Sequence, residues 1–496
     1  MRFRILFIML IASGCIQLKA QNDIWFNRGL QAKNAKDYRK AIEYFTKSIE
    51  IMGVYPATFK NRGNSYFELH QYDKAIADYT KTIEINPKDT YAFYIRGIAN
   101  NELQQYSKAI ADFSRAIELD PKYTYAWYGR GTSYFGSQQY DRAISDFTAT
   151  LKIDTGFTMA YNDRGLAYKC LQQYDHAISD FSRVIGMDPK DTDAYNNRGI
   201  AYKNLQKYDS AIADYSKAIE IDPKYTRAYN NRGVVFCHLQ QYDSALADFS
   251  RAIEIDPNYV TAYYSRGNAY DDLQQYDAAI ADYSRAIEID PRDTDTYYSR
   301  GIVYRNIQQY DKAIADFSKA IGTDPDYIYA YNGLGSVFSD LHQYDKAISN
   351  YNRVIGLAPN SLDGYLGLVL VYGKENKYDS ALLIIKKGIE QDPQEAILYD
   401  ANGYFYFGKK DNENAVSNFK KCLEIDNKNF DANLGLAIVF YTLGDKNSAR
   451  GYLDKAKELE PLLNKGMDGI TEMEKAGYSC FVNKNTIPEK MFDELK

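Results

Sequence analysis

The chain has 496 residues, 60 of them basic and 66 acidic, for a formal net charge of −6; 48 residues are tyrosine. Both signs of charge are interspersed, which argues against nonspecific nucleic-acid binding, since that needs a basic stripe. No stretch reaches the ~18 uninterrupted apolar residues of a membrane-spanning helix. The five cysteines (Cys15, Cys170, Cys237, Cys422 and Cys480) point to no disulfide framework. Four scattered histidines without metal-ligand spacing, and no phosphate loop or nucleophile elbow, leave catalysis without a foothold. The expectation is a protein that is not an enzyme and takes no cofactor.

Met1 to Arg4 is a basic start, and Ile5 to Ala12 is an apolar run too short to anchor in a bilayer. This is the pattern of an export signal, and two processing routes stay open. Cleavage after Ala20, in Leu18-Lys19-Ala20, leaves Gln21 first and predicts a periplasmic protein. Alternatively Ile11-Ala12-Ser13-Gly14-Cys15 looks like a bacterial lipobox, which would put lipid on Cys15 and the protein on the outer membrane. The first route fits the repeat boundary better, so residues 1–20 are read as a signal peptide. Its loss removes Arg2, Arg4 and Lys19 and leaves 57 basic against 66 acidic residues.

From Asn22 onward a 34-residue period governs the chain. Arg-Gly recurs at that spacing from Arg28-Gly29 to Arg300-Gly301, and an alanine falls at one fixed place from Ala41 to Ala449. Proline keeps the beat at Pro87, Pro121, Pro189 and onward to Pro461. Such a period marks stacked units, each burying its apolar face against its neighbours. Thirteen units result, 22–55 first and 430–463 last, and offsets below count from the first residue of each unit. Aromatic residues at offsets 4 and 11 (Tyr161, Tyr168) with glycine at 8 predict a short helix A. Offsets 20, 24 and 28 (Ala177, Phe181, Ile185) predict helix B. Threonine at offset 1 (Thr90, Thr124, Thr192, Thr226) suits an N-cap. Asp at offset 18 suits the start of helix B, and Asp-Pro at offsets 31–32 ends it.

Arginine at offset 7 fills units 1–9, and Asp at offset 23 occurs in eight of those nine units and in none of the other four. Joint loss predicts a paired charge, within a unit or between neighbours. After the last unit, residues 464–496 are too few for an enzyme domain. Leu463, Met467, Ile470 and Met473 form one apolar stripe for a cap, and Thr486 with Pro488 starts a short final helix through Leu495.

In unit 4, Trp127, Gly131, Tyr134, Ala143 and Phe147 stand at the offsets of the tetratricopeptide pattern, W-x2-L-G-x2-Y, A-x3-F and P. The chain resembles that family over nearly its whole length. It departs at offset 7, where the family's leucine is arginine until Leu334, Leu368 and Leu436, with Asn402 between. The resemblance implies an all-α, right-handed superhelical solenoid of about thirteen helix-turn-helix repeats with a C-terminal capping helix. It also implies a concave groove lined by offsets 2, 5, 6, 9, 12 and 13 of helix A, where extended protein segments bind. That groove would carry Tyr94 and Tyr128 as apolar anchors, beside Tyr91 and Tyr125. Asn162 would offer a further amide, Asn196, Asn197, Asn230 and Asn231 would align as a wall of amides, with Asn197 and Asn231 packing against nothing essential, and Lys169 and Lys203 would face a carboxylate. The family's carboxylate clamp is not completed: Lys60 and Asn64 match, but Ile95, Tyr125 and Gly129 fill its other places. A merely hydrated inner face is the alternative.

The expected role is an interaction scaffold for protein or peptide segments in cell-envelope assembly or maintenance. The other class left open is an architectural or secretion-complex component that self-associates through its repeat ends. The export reading has a direct check. Intact-mass measurement of the envelope fraction should find a chain starting at Gln21, or at a lipidated Cys15; a soluble chain retaining Met1 sinks both routes.

Overall fold

A computed structural model describes residues 18–19, 21–52, 55–476, 487–488 and 490–495. Residues 1–17, with Cys15, and 477–486, with Cys480 and Thr486, lie outside the described residues. The chain divides after Pro257 into two compact bodies. The first holds a helix over 21–34, its partner Tyr38–Met52, and six further pairs from Pro56–Glu68 with Tyr72–Ile85 to Thr226–His238 with Tyr242–Ile255. The second holds six pairs from Val260–Asp272 with Tyr276–Ile289 to Phe430–Thr442 with Lys446–Leu459, then Met467–Ala476 and Met491–Glu494.

Between helix A and helix B the chain reverses in three residues. Offset 15 is left-handed in every unit, with φ of 58° at Gln104 and 83° at Gly444, and it is glutamine in seven of the thirteen. Gln104 N–H donates to the Asn101 carbonyl and Gln105 N–H to the Asn100 carbonyl, each at 2.8 Å. These two bonds satisfy carbonyls that the helix end would orphan, which offsets the cost of a left-handed side-chain-bearing residue. The predicted cap is one residue out. Helix A begins at its threonine, and the N-cap is the residue before, where Asp89 and Asp191 accept from the N–H of Ala92 and Ala194. Helix B behaves as read: Asp175, Asp209 and Asp243 lie in its first turn, and Asp188 leaves it extended before Pro189.

In eleven of the thirteen units the core is one ring seated on one glycine; units 11 and 13 bury Val369 with Ile385 and Ala437 with Leu453 instead. A Cβ on Gly199 would stand 2.6 Å from the Tyr215 ring, and one on Gly233 would stand 2.6 Å from Phe249. Alanine at offset 20 is fully buried in all thirteen units. The ring also reaches the next helix A, where a Cβ on Gly129 would lie 2.7 Å from Phe113.

The charge pair forms within the unit. Arg198 donates from Nε to Asp214 Oδ2 at 2.8 Å and from Nη2 to Oδ1 at 2.7 Å. Its remaining Nη1 donates to Ser182 Oγ of the preceding unit at 2.9 Å. The guanidinium lies 5.6 and 5.9 Å from the ring centroids of Tyr195 and Tyr202, with its side chain 19% exposed and that of Asp214 8%. Arg62, Arg96, Arg130, Arg164, Arg232 and Arg300 repeat all three bonds, reaching back to Thr46, Thr80, Ser114, Thr148, Ser216 and Ser284. Arg266 pairs with Asp282 likewise. Arg28, whose unit has Tyr44 at offset 23, rests over Trp25 instead, 4.9 Å from the ring centroid.

Past Ile328 the polar layer is replaced. Leu334, Leu368 and Leu436 are buried at the arginine's place, and Asn402 Nδ2 donates to Asn418 Oδ1 at 2.8 Å across the same two offsets. The last pair is closed by an apolar cap in which Leu463, Ile470, Met473, Met491, Phe492 and Leu495 are buried. Lys446 Nζ donates to Glu494 at 2.7 Å and Arg450 Nε to the Leu495 carbonyl at 3.1 Å, tying the tail to the final helix B.

A double-mutant cycle tests the pair. Arg198→Ala and Asp214→Ala should each cost roughly 3 kcal/mol, because each strands a partly buried charge. The double variant should lose about 1–3 kcal/mol less than their sum, and Ser182→Ala only about 1 kcal/mol. Strict additivity in chemical denaturation would overturn the contact.

Candidate functional site

Helix A supplies the face on which the sequence reading placed the groove, and its character changes along the first body. In units 3 and 4 it is aromatic. The Tyr94 centroid lies 5.1 Å from Tyr123 and 6.3 Å from each of Tyr91 and Tyr125. Tyr128 packs 4.9 Å from Phe157, and its hydroxyl donates to Asp163 Oδ2 at 2.6 Å. Burial, and then the carboxylate beside it, push the Tyr128 phenol well above its usual range. Burial likewise raises the Asp163 carboxyl against the bonds from Tyr128 and Asn162. Asn162 Nδ2 donates to Asp163 Oδ1 at 3.1 Å. Tyr128 and Asn162 are thus tied to Asp163, while Tyr94 keeps a half-buried ring among other rings.

The wall of amides in units 6 and 7 is only partly open. Asn196 and Asn230 are 5% and 4% exposed, and only Asn197 and Asn231 are half-exposed. Asn231 Nδ2 donates to Asn196 Oδ1 at 2.8 Å, bridging adjacent units. The expectation that Asn197 and Asn231 pack against nothing essential therefore fails for Asn231, and Asn196 and Asn230 are buried rather than open to the groove. Offset 5 is squeezed between neighbouring A helices, and Asn231→Ala would strand a buried oxygen.

The amines differ from the amides. Lys169 and Lys203, at offset 12 of adjacent units, are half-buried and have no hydrogen-bond or ion-pair acceptor among the described residues. Burial lowers the Lys169 ammonium from its usual range. Other cations at offset 12 are occupied: Lys33 donates to Asn61 at 2.6 Å, and Arg305 pairs with Asp340 at 2.9 Å. Lys60, the one cation matching the carboxylate clamp, is neutralised by Asp89 at 2.8 Å, a second reason for that clamp to be incomplete.

Four participants escaped the sequence reading. Tyr123 and Phe157 sit at offset 34, just before helix A, and the aromatic residues repeated there (Tyr55, Tyr123, Phe157, Tyr225, Tyr259, Tyr327) were the available signal. Asp163 was hidden as the lone acid at offset 6. Tyr215 is the fourth. Tyrosines at offset 24 otherwise meet a polar partner at offset 9, with Tyr79 and Tyr283 donating to Asn64 and Asn268 at 2.9 and 2.7 Å. Unit 6 has Ile200 there, and the buried Tyr215 hydroxyl is without a partner, as is Asn230 Oδ1.

Profiles described as tetratricopeptide repeat match residues 23–51, 56–89, 160–191, 192–225, 215–247, 260–293, 294–327, 328–361 and 406–462, and one described as TPR repeat matches 99–138 and 233–274. No curated protein matches the chain. Solved structures similar to it include YrrB, a TPR protein with an unusual peptide-binding site (22% identity, 39% of this chain and 97% of that one, TM-score 0.32). Others are the APC/C hetero-tetramer Cut9-Hcn1 (14%, 84% and 96%, 0.39) and a tetratricopeptide repeat protein from Parabacteroides merdae (20%, 50% and 98%, 0.41).

The orphaned hydroxyl gives a contrast to measure. Tyr215→Phe should leave stability unchanged or raise it by up to about 1 kcal/mol, while Tyr79→Phe and Tyr283→Phe each lose about 1 kcal/mol with their bonds. Equal losses at all three positions in urea unfolding would refute the assignment.

Proposed function

The chain belongs to the tetratricopeptide repeat family, and on that premise we propose that it is a non-enzymatic scaffold holding an extended, carboxylate-bearing segment of a partner protein along the helix A faces of units 3–7. The observation that carries the reading is the pair of unpartnered amines, Lys169 and Lys203. A half-buried ammonium without an acceptor loses hydration and gains nothing in return, so a carboxylate from outside the chain is its natural complement. Asn197 supplies a donor and an acceptor for a backbone of any sequence, and Tyr94 and Tyr125 supply apolar area. With the export signal read at residues 1–20, the scaffold works outside the cytoplasm, in assembly or maintenance of the cell envelope, either periplasmic or lipid-anchored through Cys15. Self-association through both repeat ends is the weaker reading, because the apolar cap after Leu459 already covers the C-terminal end.

Lys169→Ala and Lys203→Ala break no bond within the chain, so the thermal midpoint should stay in place. Capture of the envelope partner should weaken roughly fivefold for each, and the parent's capture should fall as salt rises. If the double variant captures the partner as tightly as the parent, the helix A face is the wrong surface, and the outer helix B faces or the tail take its place.

A further inference from the structure

The same three tyrosines occur twice. In the first body Tyr94, Tyr123 and Tyr125 pack with centroids 5.1, 6.2 and 6.3 Å apart. In the second body Tyr298, Tyr327 and Tyr329, at the same offsets six units on, pack at 5.7, 5.4 and 6.0 Å. The fold does not require them. Offset 5 is asparagine at Asn162, Asn196 and Asn230, and offset 2 is Met159, Asp193 and Arg227, in units that close just as well. Tyr125 and Tyr329 stand 52% and 51% exposed, and the hydroxyls of Tyr94, Tyr125, Tyr298 and Tyr329 have no acceptor among the described residues.

We propose that each trio is a subsite for a proline-rich stretch of the partner in the polyproline II conformation, which rests on the scaffold reading and gives its occupant a chemistry. The rings touch edge to face at about 6 Å, so each trio presents a continuous aromatic surface of the kind on which the pre-extended polyproline II helix docks. The polar complement agrees. Proline offers a carbonyl and no N–H, so a proline-rich segment needs donors, and the open phenols are donors. A glycan would bring hydroxyl donors of its own, but the carboxylates nearby are taken: Asp89 by Lys60, Asp163 by Tyr128 and Asn162, and Asp295 by Tyr327. Charge sets the flank. In the first body the face leads from Tyr125 to the unpartnered Lys169 in the next unit. With neighbouring helices ~10 Å apart, an acidic residue belongs roughly three to six residues from the prolines.

Titration calorimetry of the full chain with decaproline tests this. Two equivalents should bind; Tyr125→Ser and Tyr329→Ser should each leave one, and the double variant none. Circular dichroism should be unchanged, because both positions are exposed and hold polar residues in other units. A glutamate-tailed proline peptide should bind more tightly at the first subsite, and Lys169→Ala should remove that gain. Binding of decaproline no better than a Gly-Ser decamer, or its persistence in the double variant, would overturn the proposal. So would chitohexaose binding that the double variant loses. A proline-free acidic peptide that binds through Lys169 while decaproline does not would overturn this inference and leave the scaffold standing.

Discussion

A ring resting on a glycine holds eleven of the thirteen repeats together, and most other features follow from how little room that contact leaves. Tyr215 fills the space a Cβ on Gly199 would need, so the two helices of a repeat approach at backbone distance. The ring is shared. Phe113 and Phe317 press equally on Gly129 and Gly333 of the following repeats, so at these places one side chain joins a repeat internally and to its neighbour. A stack built this way is held by contacts between nearest neighbours.

So thin a core needs a second layer, and the arginine clamp supplies it in polar form. Arg198 spends Nε and Nη2 on its own repeat and Nη1 on the one before, which makes a single guanidinium both an intra-repeat and an inter-repeat bond. A lysine could not do this, since its point charge lacks the planar fork. The layer is also replaceable. Leu334 and Leu368 fill the same place with apolar volume, and Asn402 with Asn418 fills it with a neutral pair. Swapping a buried ion pair for apolar side chains is often neutral in stability, which accounts for both solutions within one chain.

How far the sequence could be read depended on whether a feature lives inside one repeat or between two. Helix ranges, the ring, the glycine and the Arg–Asp pair recur at fixed offsets, and the joint loss of arginine and aspartate in the last four repeats marks those two as partners. The hydroxyl that completes the clamp recurs as faithfully, but it belongs to the preceding repeat and reads as an ordinary polar surface residue. The candidate site was harder for the same reason. Offset 5 looked like an open wall, yet at Asn196 and Asn230 it lies between two A helices and is buried. Whether Lys169 has a counter-ion depends on several neighbouring repeats at once, and no single position states it.

The architecture separates the positions that hold the fold from those that do not, and this lets chemistry vary along one face. Offsets 8, 20 and 24 are committed to the ring and its seat or, in units 11 and 13, to buried apolar replacements, and offsets 7 and 23 to the clamp or its substitutes. Offset 12 carries Lys33, Lys169, Lys203, Arg305 and Ser339 with no change in the helices around it. A face assembled from such positions can be aromatic in one repeat and cationic two repeats later at almost no cost in stability. Its recognition then depends on the order of repeats rather than on any one of them. The apolar closure at the C-terminal end serves the same division. Leu436, Ile438 and Val439 with the capping Met491 and Phe492 end the stack in a dry core, which leaves the polar, clamped repeats upstream to differ from one another.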